Sequence, residues 1–404
     1  MAPLPLDGLK VLDFTWVGVG PQTTKYLGDH GATVVRVETV HHLDILRTAP
    51  PYANSIPGPD RSAYFANFNR NKYSITINLA HPEGAAVARR LAAWADILAQ
   101  SFTPGTMDGW GLSYSAVRAL NPTIIYFSTS QQGDTGPDAR HPGFGSQMVA
   151  ISGFSHLTGW PDGPPVGPYG AYTDTICPRL AASAILAALD YRRRTGQGQY
   201  IDLSQVEASL HFIAPAVLDY TANGRDAGRQ GNASPHACPH GAYRCRGDDA
   251  WIALSISSDE QWQSMVRALS SPAWANDPRL DTFLGRRRRT QELDRHIESW
   301  TLAYTPLQAM EMLQAAGVPA GPAESTKDLH EDPQLAHRRH FWRLEHPEIG
   351  PHCYDGFPFR LSLTPGTLAR PGPLLGQHTE LVCREVLGMS DSEFVELLST
   401  GALE

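Results

Sequence analysis

LKVLDFTWVGVGPQTTKYLGDHGATVVRVE, residues 9–38, carries the pattern of a strand, a helix and a second strand. Residues 9–14 are mostly apolar, residues 21–30 can form a helix that ends at Gly31, and residues 33–37 are rich in β-branched side chains. Two strands joined by a helix pair in parallel within one sheet. We therefore expect the chain to begin with an α/β unit.

The same alternation continues downstream. Further strand patterns lie at 74–79, 97–100 and 124–128, and helical patterns lie between them at 82–95 and 114–120. Strands that alternate with helices predict parallel pairing, with helices on both faces of the sheet. The predicted fold class is α/β, with a doubly wound, Rossmann-like parallel sheet in the large domain.

The length of 404 residues exceeds what a single core usually supports. We expect a large α/β domain over residues 1–221 and a linker over 222–240, where Gly, Asn, Ser, Pro and His accumulate. A smaller α+β domain should follow over 241–330. Residues 331–404 should return to the large domain, where the terminal helices dock.

Composition and charge exclude several classes of protein. The net charge of −8 gives no general attraction to nucleic acid or to anionic lipid. No apolar run reaches the roughly 18 residues of a membrane helix, and residues 1–8 lack the features of a signal peptide. The five cysteines are odd in number and scattered, which favours reduced thiols. We expect a cytoplasmic protein without nucleic-acid or membrane partners.

Asp174 is the candidate catalytic residue. It lies where a Gly- and Pro-rich loop, residues 163–170, leads into an apolar helix predicted over residues 178–194. A carboxylate beside the unpaired amides and positive dipole end of a helix should stay ionised and nucleophilic. The same position also suits an ordinary N-cap. The local pattern alone favours the cap and leaves both interpretations open.

A nicotinamide site is the first alternative. The loop at residues 17–23 follows the first strand, and Glu38 ends the second strand, where a ribose-binding acid would lie. Thr23 replaces the third glycine of the dinucleotide fingerprint, however, and Pro21 removes one amide from the loop. An NAD(P)-dependent oxidoreductase is therefore disfavoured.

A metal site is the second alternative. His236, Cys238, His240 and Cys245 are all possible zinc ligands, but their spacing matches no familiar zinc module. An ordinary loop is favoured, and no metal is expected. The sequence also lacks a G-x-S-x-G elbow, a Walker loop and an H-E-x-x-H motif, which disfavours several hydrolase and kinase classes.

The order of short motifs along the chain resembles the family III CoA-transferases, the group that contains formyl-CoA transferase and the carnitine CoA-transferases. Each motif is weak alone, but their shared order and spacing are specific. They are LKVLDF (9–14), GATVVRVE (31–38), NRNK (69–72), ADIL (95–98), PGTM (104–107) followed by GL (111–112), TGQGQ (195–199) and GQHT (376–379).

The resemblance implies that Asp174 is the nucleophile, although Thr173 stands where the family usually has Gly. It implies transfer of CoA from an acyl-CoA donor such as succinyl-CoA to a carboxylic acid, through an aspartyl-CoA thioester. CoA and acyl-CoA would be substrates, and no metal would take part. It further implies an interlaced homodimer, with chains that thread each other near residues 222–239.

Position matching to the family also implies the contacts with CoA. Arg70 and Lys72 would supply charge for the phosphates, and Phe102 would cover the adenine. The implied CoA contacts are Val17, Gly18, Arg70, Asn71, Lys72, Ile77, Asn78, Ser101, Phe102 and Thr103. The sequence near Asp174 is similar to that of the branch that activates benzylsuccinate with succinyl-CoA. This similarity implies that Trp16, Tyr169 and Tyr172 contact the substrate acid.

Two alternatives remain within the same superfamily. One is a subunit of a hetero-oligomeric CoA-transferase, such as succinyl-CoA:benzylsuccinate CoA-transferase. The other is an acyl-CoA racemase or isomerase. The racemases use a Gly-His-Asp segment, and the matching stretch here is Gly143-Phe144-Gly145. Since that histidine is one of two bases needed for proton transfer, its absence favours CoA transfer.

Overall fold

A computed structural model describes residues 3–404 of the chain. Its strands are β1 (Lys10–Phe14), β2 (Thr33–Glu38), β3 (Lys72–Thr76), β4 (Ile97–Gln100), β5 (Ile125–Ser130), β6 (Tyr200–Ser204), β7 (His240–Arg244), β8 (Trp251–Ser255), β9 (Ala320–Pro322), β10 (Phe341–His346) and β11 (Gly350–Asp355).

The helices follow the same chain order. They are α1 (Val19–Asp29), α2 (Ala63–Asn69), α3 (Pro82–Trp94), α4 (Thr106–Gly109), α5 (Tyr114–Leu120), α6 (Gly145–Ile151), α7 (Phe154–Leu157), α8 (Tyr172–Thr195), α9 (Gln205–Leu210), α10 (Ala214–Asn223), α11 (Asp259–Ala268), α12 (Phe283–Arg287), α13 (Thr290–Thr301), α14 (Pro306–Ala315), α15 (Thr326–Glu331), α16 (Pro333–His337), α17 (Thr379–Leu381) and α18 (Asp391–Ser399). Within residues 3–404, no helix is both long and apolar enough to cross a membrane.

The chain divides into two compact units. The first contains the residues up to Ser155, Gly167–Asp226 and Arg339–Glu404, and the second contains His156–Val166 and Ala227–Arg338. The sequence predicts a large domain to residue 221, a linker over 222–240 and a small domain over 241–330. In the structure the first of these divisions lies at 226/227, inside the predicted linker, and the second lies at 338/339, beyond the predicted 330/331. Residues 156–166, which the sequence assigned to the large domain, belong to the second unit.

A six-stranded sheet forms the centre of the first unit. Its strand order is β3-β2-β1-β4-β5-β6, and every neighbouring pair is parallel. The order runs outward in both directions from β1 and β4, so the predicted doubly wound α/β fold is confirmed. In such sheets the loops after these two central strands diverge and leave a crevice, which is where ligands bind.

Both faces of the sheet are covered by apolar residues. Alternate side chains of a strand point to opposite faces, and β1 has Val11 in one core and Leu12 in the other. Val11 packs in the core that contains Ala181 and Ile185 of α8. Leu12 packs in the core that contains Leu397 of α18. The C-terminal helix thus packs against the large unit, and the burial of both faces explains the nearly continuous apolar run in β1.

The second unit has its own core. Strands β7, β8 and β9 form an antiparallel sheet in that order. Apolar residues from this sheet and from α11, α13 and α14 pack together, including Ile252, Trp262, Ile297 and Leu313. Helices beside an antiparallel sheet give the small α+β unit that the sequence predicts.

Candidate active site

Asp174 lies in the first turn of α8 and is only 8% exposed. The helix begins at Tyr172, and Ala171 occupies the N-cap position. Asp174 is therefore the third helical residue, so the interpretation of this aspartate as an N-cap is wrong. The helix starts six residues earlier than its apolar pattern suggested, and this earlier start brings the carboxylate inside the first turn.

The backbone at Asp174 is held by a side chain from another helix. Pro178 lies inside α8 and has no N–H, so the carbonyl oxygen of Asp174, four residues earlier, receives no helical hydrogen bond from it. Gln22 of α1 is buried, and its Nε2 donates to this carbonyl oxygen at 3.0 Å. A buried carbonyl group needs such a partner. Gln22 thus fixes the main chain that carries the carboxylate.

Two glycines lie directly against the Asp174 carboxylate. A Cβ atom built on Gly18 would lie 2.7 Å from Oδ2, and one built on Gly145 would lie 2.5 Å from Oδ1. Beside Gly18, Val17 has φ 61°, a left-handed conformation that is costly for a β-branched residue. Such strain is often found at functional sites. The backbone after β1 is thus brought close to the carboxylate.

The pKa of Asp174 differs from the sequence-based expectation. Burial raises the pKa of Asp174 to about 7, from an ordinary value of 3.8. This direction is opposite to the one expected from the helix amides, because burial disfavours the charged form of the carboxyl group. Near neutral pH, the protonated and ionised forms are both well populated.

Asp174 borders a cavity of about 230 Å³ at the carboxyl ends of β1, β4 and β5. Six of the predicted binding residues line it as well: Trp16, Val17, Gly18, Ser101, Phe102 and Thr103. The sequence analysis missed other lining residues, among them Ser130, Gln131, His141, Phe144 and Gln205. Ser130 and Gln131 come at the end of β5, so the rule that ligands bind at the carboxyl ends of parallel strands could have found them.

A second cavity of about 440 Å³ shares Trp16 and Phe102 with the first. The predicted residues Ile77 and Asn78 line this second cavity. The Phe102 ring makes edge-on contacts with the rings of Trp16 and Trp110, at centroid distances of 5.7 and 5.3 Å. These aromatic contacts hold Phe102 between the two cavities.

Arg70, Asn71 and Lys72 lie elsewhere, and none of them is among the residues that line these two cavities. All three are buried. Arg70 Nη2 pairs with Asp29 at 2.9 Å, and Asn71 Nδ2 donates to the same carboxylate at 2.7 Å. Lys72 Nζ pairs with Asp13 at 2.9 Å. These contacts correct the expectation of phosphate binding, because the protein's own carboxylates already neutralise both cations.

Replacing Lys72 by methionine tests this structural role. Lys72 and Asp13 are fully buried, so the substitution leaves the Asp13 carboxylate without its cation, and we expect a loss of about 3 kcal/mol in unfolding free energy. Urea unfolding measures the effect, with exposed Lys327→Met as the control. The KM for acyl-CoA should not change. An increased KM for acyl-CoA together with wild-type stability would instead indicate that Lys72 binds a phosphate of CoA.

The three aromatic residues that were expected to contact the substrate acid do not lie together. Trp16 lines the first cavity. Tyr172 is 41% exposed and makes an edge-on contact with Phe154 at 5.7 Å, and Tyr169 is fully exposed. Neither tyrosine is among the residues that line the cavity. The structure therefore brings only Trp16, of these three, to the space beside Asp174.

Glu38 borders the second cavity, but its carboxylate is engaged. Its two oxygens accept hydrogen bonds from Arg47 at 2.8 and 2.7 Å, and Ser74 donates to one of them. Burial opposes ionisation, but Arg47 and Arg36 lower the pKa of Glu38 to about 2. A carboxylate held in this way is unsuited to the ribose contact that a nicotinamide site needs.

The four possible zinc ligands lie in different surroundings. Cys238 and Cys245 are buried in the core of the second unit. His236 is exposed, and the Nδ1 atom of His240 lies 2.6 Å from the carbonyl oxygen of Asn232. Across residues 3–404, no three His, Cys, Asp or Glu side chains are grouped so as to hold a metal ion.

Known proteins match the chain over nearly all of its length. It is 34% identical to succinyl-CoA–D-citramalate CoA-transferase of Chloroflexus aurantiacus, over 98% of this chain and 97% of that protein. It is 32% identical to human succinyl-CoA:glutarate CoA-transferase, over 99% and 90% of the two chains. It is also 32% identical to the beta subunit of succinyl-CoA–L-malate CoA-transferase of Chloroflexus aurantiacus, over 98% and 97%.

The structural comparison agrees with these matches. A crystal structure of a CAIB/BAIF family protein from Brucella suis superimposes with a TM-score of 0.87 and 31% identity, over 95% of this chain and all of that one. The family described as CoA-transferase family III matches residues 6–379. The resemblance inferred from the short motifs is confirmed. The chain belongs to CoA-transferase family III and is a CoA-transferase.

Proposed function

We propose that the protein transfers CoA from succinyl-CoA to a small carboxylic acid, and that Asp174 carries CoA between the two. The observation that carries this proposal is a buried carboxylate, held between Gly18 and Gly145, that faces a cavity at the carboxyl ends of the central strands. The three relatives described above use succinyl-CoA by name, which supports the choice of donor.

The proposed reaction proceeds by covalent catalysis. The Asp174 carboxylate attacks the thioester carbonyl of succinyl-CoA, forming a mixed anhydride and releasing CoA thiolate. The thiolate attacks the aspartyl carbonyl, which releases succinate and leaves a CoA thioester on Asp174. The acceptor carboxylate then repeats these steps in reverse. A buried site helps, because water would hydrolyse the anhydride and the thioester.

The two cavities suggest how an acyl-CoA lies. We place the thioester end in the cavity that contains Asp174, beside Val17, Gly18, Ser101 and Thr103. The remainder of CoA then passes Phe102 toward Ile77 and Asn78 in the second cavity. Arg70, Asn71 and Lys72 have an indirect role in this proposal. The buried ion pairs of Arg70 and Lys72, with the hydrogen bond from Asn71 to Asp29, hold the start of β3 in the sheet.

We further propose that the chain acts as an interlaced homodimer. A hetero-oligomer is the alternative, since one relative is named as a beta subunit. The presence of Asp174 supports a catalytic chain that needs no second nucleophile-bearing subunit. Light scattering on the purified chain, combined with a transfer assay, tests this point: an active homodimer supports it, and an inactive chain that gains activity with a related subunit contradicts it.

Intact mass spectrometry tests the covalent step. After incubation with succinyl-CoA, the chain should gain the mass of CoA less one water, and the added mass should disappear when succinate is supplied in excess. Peptide mapping should place the modification on Asp174. Transfer of CoA from succinyl-CoA to an acceptor acid without any covalent adduct would contradict the proposed intermediate.

The pH dependence of the reaction follows from the pKa of Asp174. Attack requires the ionised carboxylate, and burial raises its pKa to about 7 in the free protein. We therefore expect kcat/KM to rise with pH through a midpoint near this value and then to level off, because kcat/KM reports ionisations of the free enzyme. Initial rates between acidic and mildly basic pH measure it. A profile that is flat across neutral pH would contradict this assignment.

A further inference from the structure

Gln131 and Ser130 have buried polar groups with no hydrogen-bond partner. Ser130 is the last residue of β5, and Gln131 follows it. Both residues line the cavity beside Asp174, and each is 8% exposed. Among the described residues, neither the Oε1 nor the Nε2 atom of Gln131 has a hydrogen-bond partner, and neither does the Ser130 hydroxyl. Buried polar groups without partners are rare and unfavourable, so this arrangement calls for a ligand.

Two other polar side chains of the same cavity are already engaged. Ser101 Oγ accepts a hydrogen bond from the backbone N–H of Trp16 at 2.8 Å. Gln205 Nε2 donates to the Thr129 hydroxyl at 3.2 Å. Lysine and arginine are absent from the lining of the cavity as the structure describes it. Gln131 and Ser130 thus supply neutral donors for a polar group of a ligand.

We propose that Gln131, supported by Ser130, binds a second oxygen function on the acyl group, a carboxyl or hydroxyl, and so selects such acids over apolar monocarboxylic acids. This inference rests on the proposed function, because it assigns the acyl group to the cavity that contains Asp174. Nε2 of Gln131 and the Ser130 hydroxyl can both donate to an oxygen, and Oε1 can accept from a hydroxyl group.

The absence of a side chain at Gly143 leaves room for this carboxamide. A Cβ atom built on Gly143 would lie 2.1 Å from Oε1 of Gln131, so a larger residue would displace the amide. Gly143→Ala therefore offers a second way to disturb Gln131 without removing its functional group. Gln132 is the matched control, because it is the adjacent residue of the same type but is not among the residues that line the cavity.

The experiment measures the rate of CoA adduct formation on Asp174 in a single turnover. Succinyl-CoA is compared with butyryl-CoA, which has the same chain length without the second carboxyl, and with 3-hydroxybutyryl-CoA, which carries a hydroxyl. We expect Gln131→Met to lower the rate with the preferred oxygen-bearing substrate by about 10- to 100-fold, the range for loss of hydrogen bonds to a polar or charged group. The butyryl-CoA rate should be unchanged. Gly143→Ala should reproduce part of the loss, and Gln132→Met none.

The outcomes separate this inference from the proposed function. If Gln131→Met lowers the rate of adduct formation selectively with succinyl-CoA, the bound group is a carboxyl. If it lowers the rate selectively with 3-hydroxybutyryl-CoA, the bound group is a hydroxyl. Equal loss with all three substrates would overturn the inference, because the amide would then act on the shared thioester. If neither the succinyl-CoA rate nor the 3-hydroxybutyryl-CoA rate falls relative to the butyryl-CoA rate, the inference is also overturned. The absence of any adduct in the wild-type protein would instead refute the proposed function.

Discussion

Asp174→Ala is expected to lower kcat/KM for CoA transfer by at least about 1000-fold, the scale on which enzymes lose activity when a nucleophile is removed. The reason is geometric as well as chemical. The carboxylate faces the cavity, and the backbones of Gly18 and Gly145 lie against its two oxygens. No side chain that lines the cavity offers a second carboxylate to replace it. The variant should also show no CoA adduct by intact mass.

Two further variants make this result specific. Asp190→Ala removes an exposed aspartate from the same helix, α8, and should retain wild-type transfer. Asp174→Asn keeps the shape of the side chain and should be as inactive as the alanine variant. Transfer by Asp174→Ala within tenfold of the wild-type rate would contradict the covalent route.

Loss of activity in Asp174→Asn should not reflect unfolding. The folded-state pKa of Asp174, about 7, lies above its ordinary value of 3.8, so the folded chain binds more protons than the unfolded chain between these pH values. The contribution of this carboxyl to stability is therefore present at low pH and is lost as the pH rises through about 7. At pH 8 the asparagine variant should unfold at a temperature no lower than the wild type.

Much of the fold was predictable because local pattern and tertiary structure agree in the first unit. Nearly every residue of β1, β2 and β4 is buried, because both faces of the parallel sheet are covered, and such strands appear in the sequence as short apolar runs. Helix α5 spans Tyr114–Leu120, as its pattern indicates, since Ser113 caps its start and Asn121-Pro122 ends it.

The beginning of α8 could not be predicted in the same way. The apolar pattern predicts a helix that begins at Pro178, because proline is most often tolerated at the first helical position. The structure instead places it inside the helix, and Gln22 replaces the missing hydrogen bond from a position 152 residues away in the chain. A hydrogen bond between such distant residues leaves no signal in the local sequence pattern. The position of Asp174 within the first turn depends on this hydrogen bond.

The buried charges were unpredictable for a similar reason. Lys72 pairs with Asp13 across 59 positions of the sequence, and Arg70 pairs with Asp29 across 41. A basic residue at the end of a loop has the same local pattern whether it meets solvent, a phosphate or a buried carboxylate. The partner of each cation is determined by the tertiary structure, which places Asp13 on β1 and Asp29 at the end of α1.

The space around the Asp174 carboxylate leaves no room for an added methyl group. Gly145→Ala is expected to lower kcat/KM by about 100-fold, because a misplacement of about 1 Å in a reacting group can cost this much. The added Cβ would lie 2.4 Å from the Cβ of Ala171 and 2.5 Å from Oδ1 of Asp174. The φ angle of Gly145 is not in the left-handed region, so alanine is allowed by the backbone and only the close approach opposes it.

Gly18→Ala should show a related defect, since its Cβ would lie 2.7 Å from Oδ2 of the same carboxylate. The matched control is Gly109→Ala, where an added Cβ meets no atom within 4 Å. Rates of CoA adduct formation and thermal unfolding should be measured for all three variants. The proposed geometry predicts slow adduct formation in the first two without a matching loss of stability. If Gly145→Ala forms the adduct at the wild-type rate, the carboxylate is free to move, and the two glycines do not position it for attack.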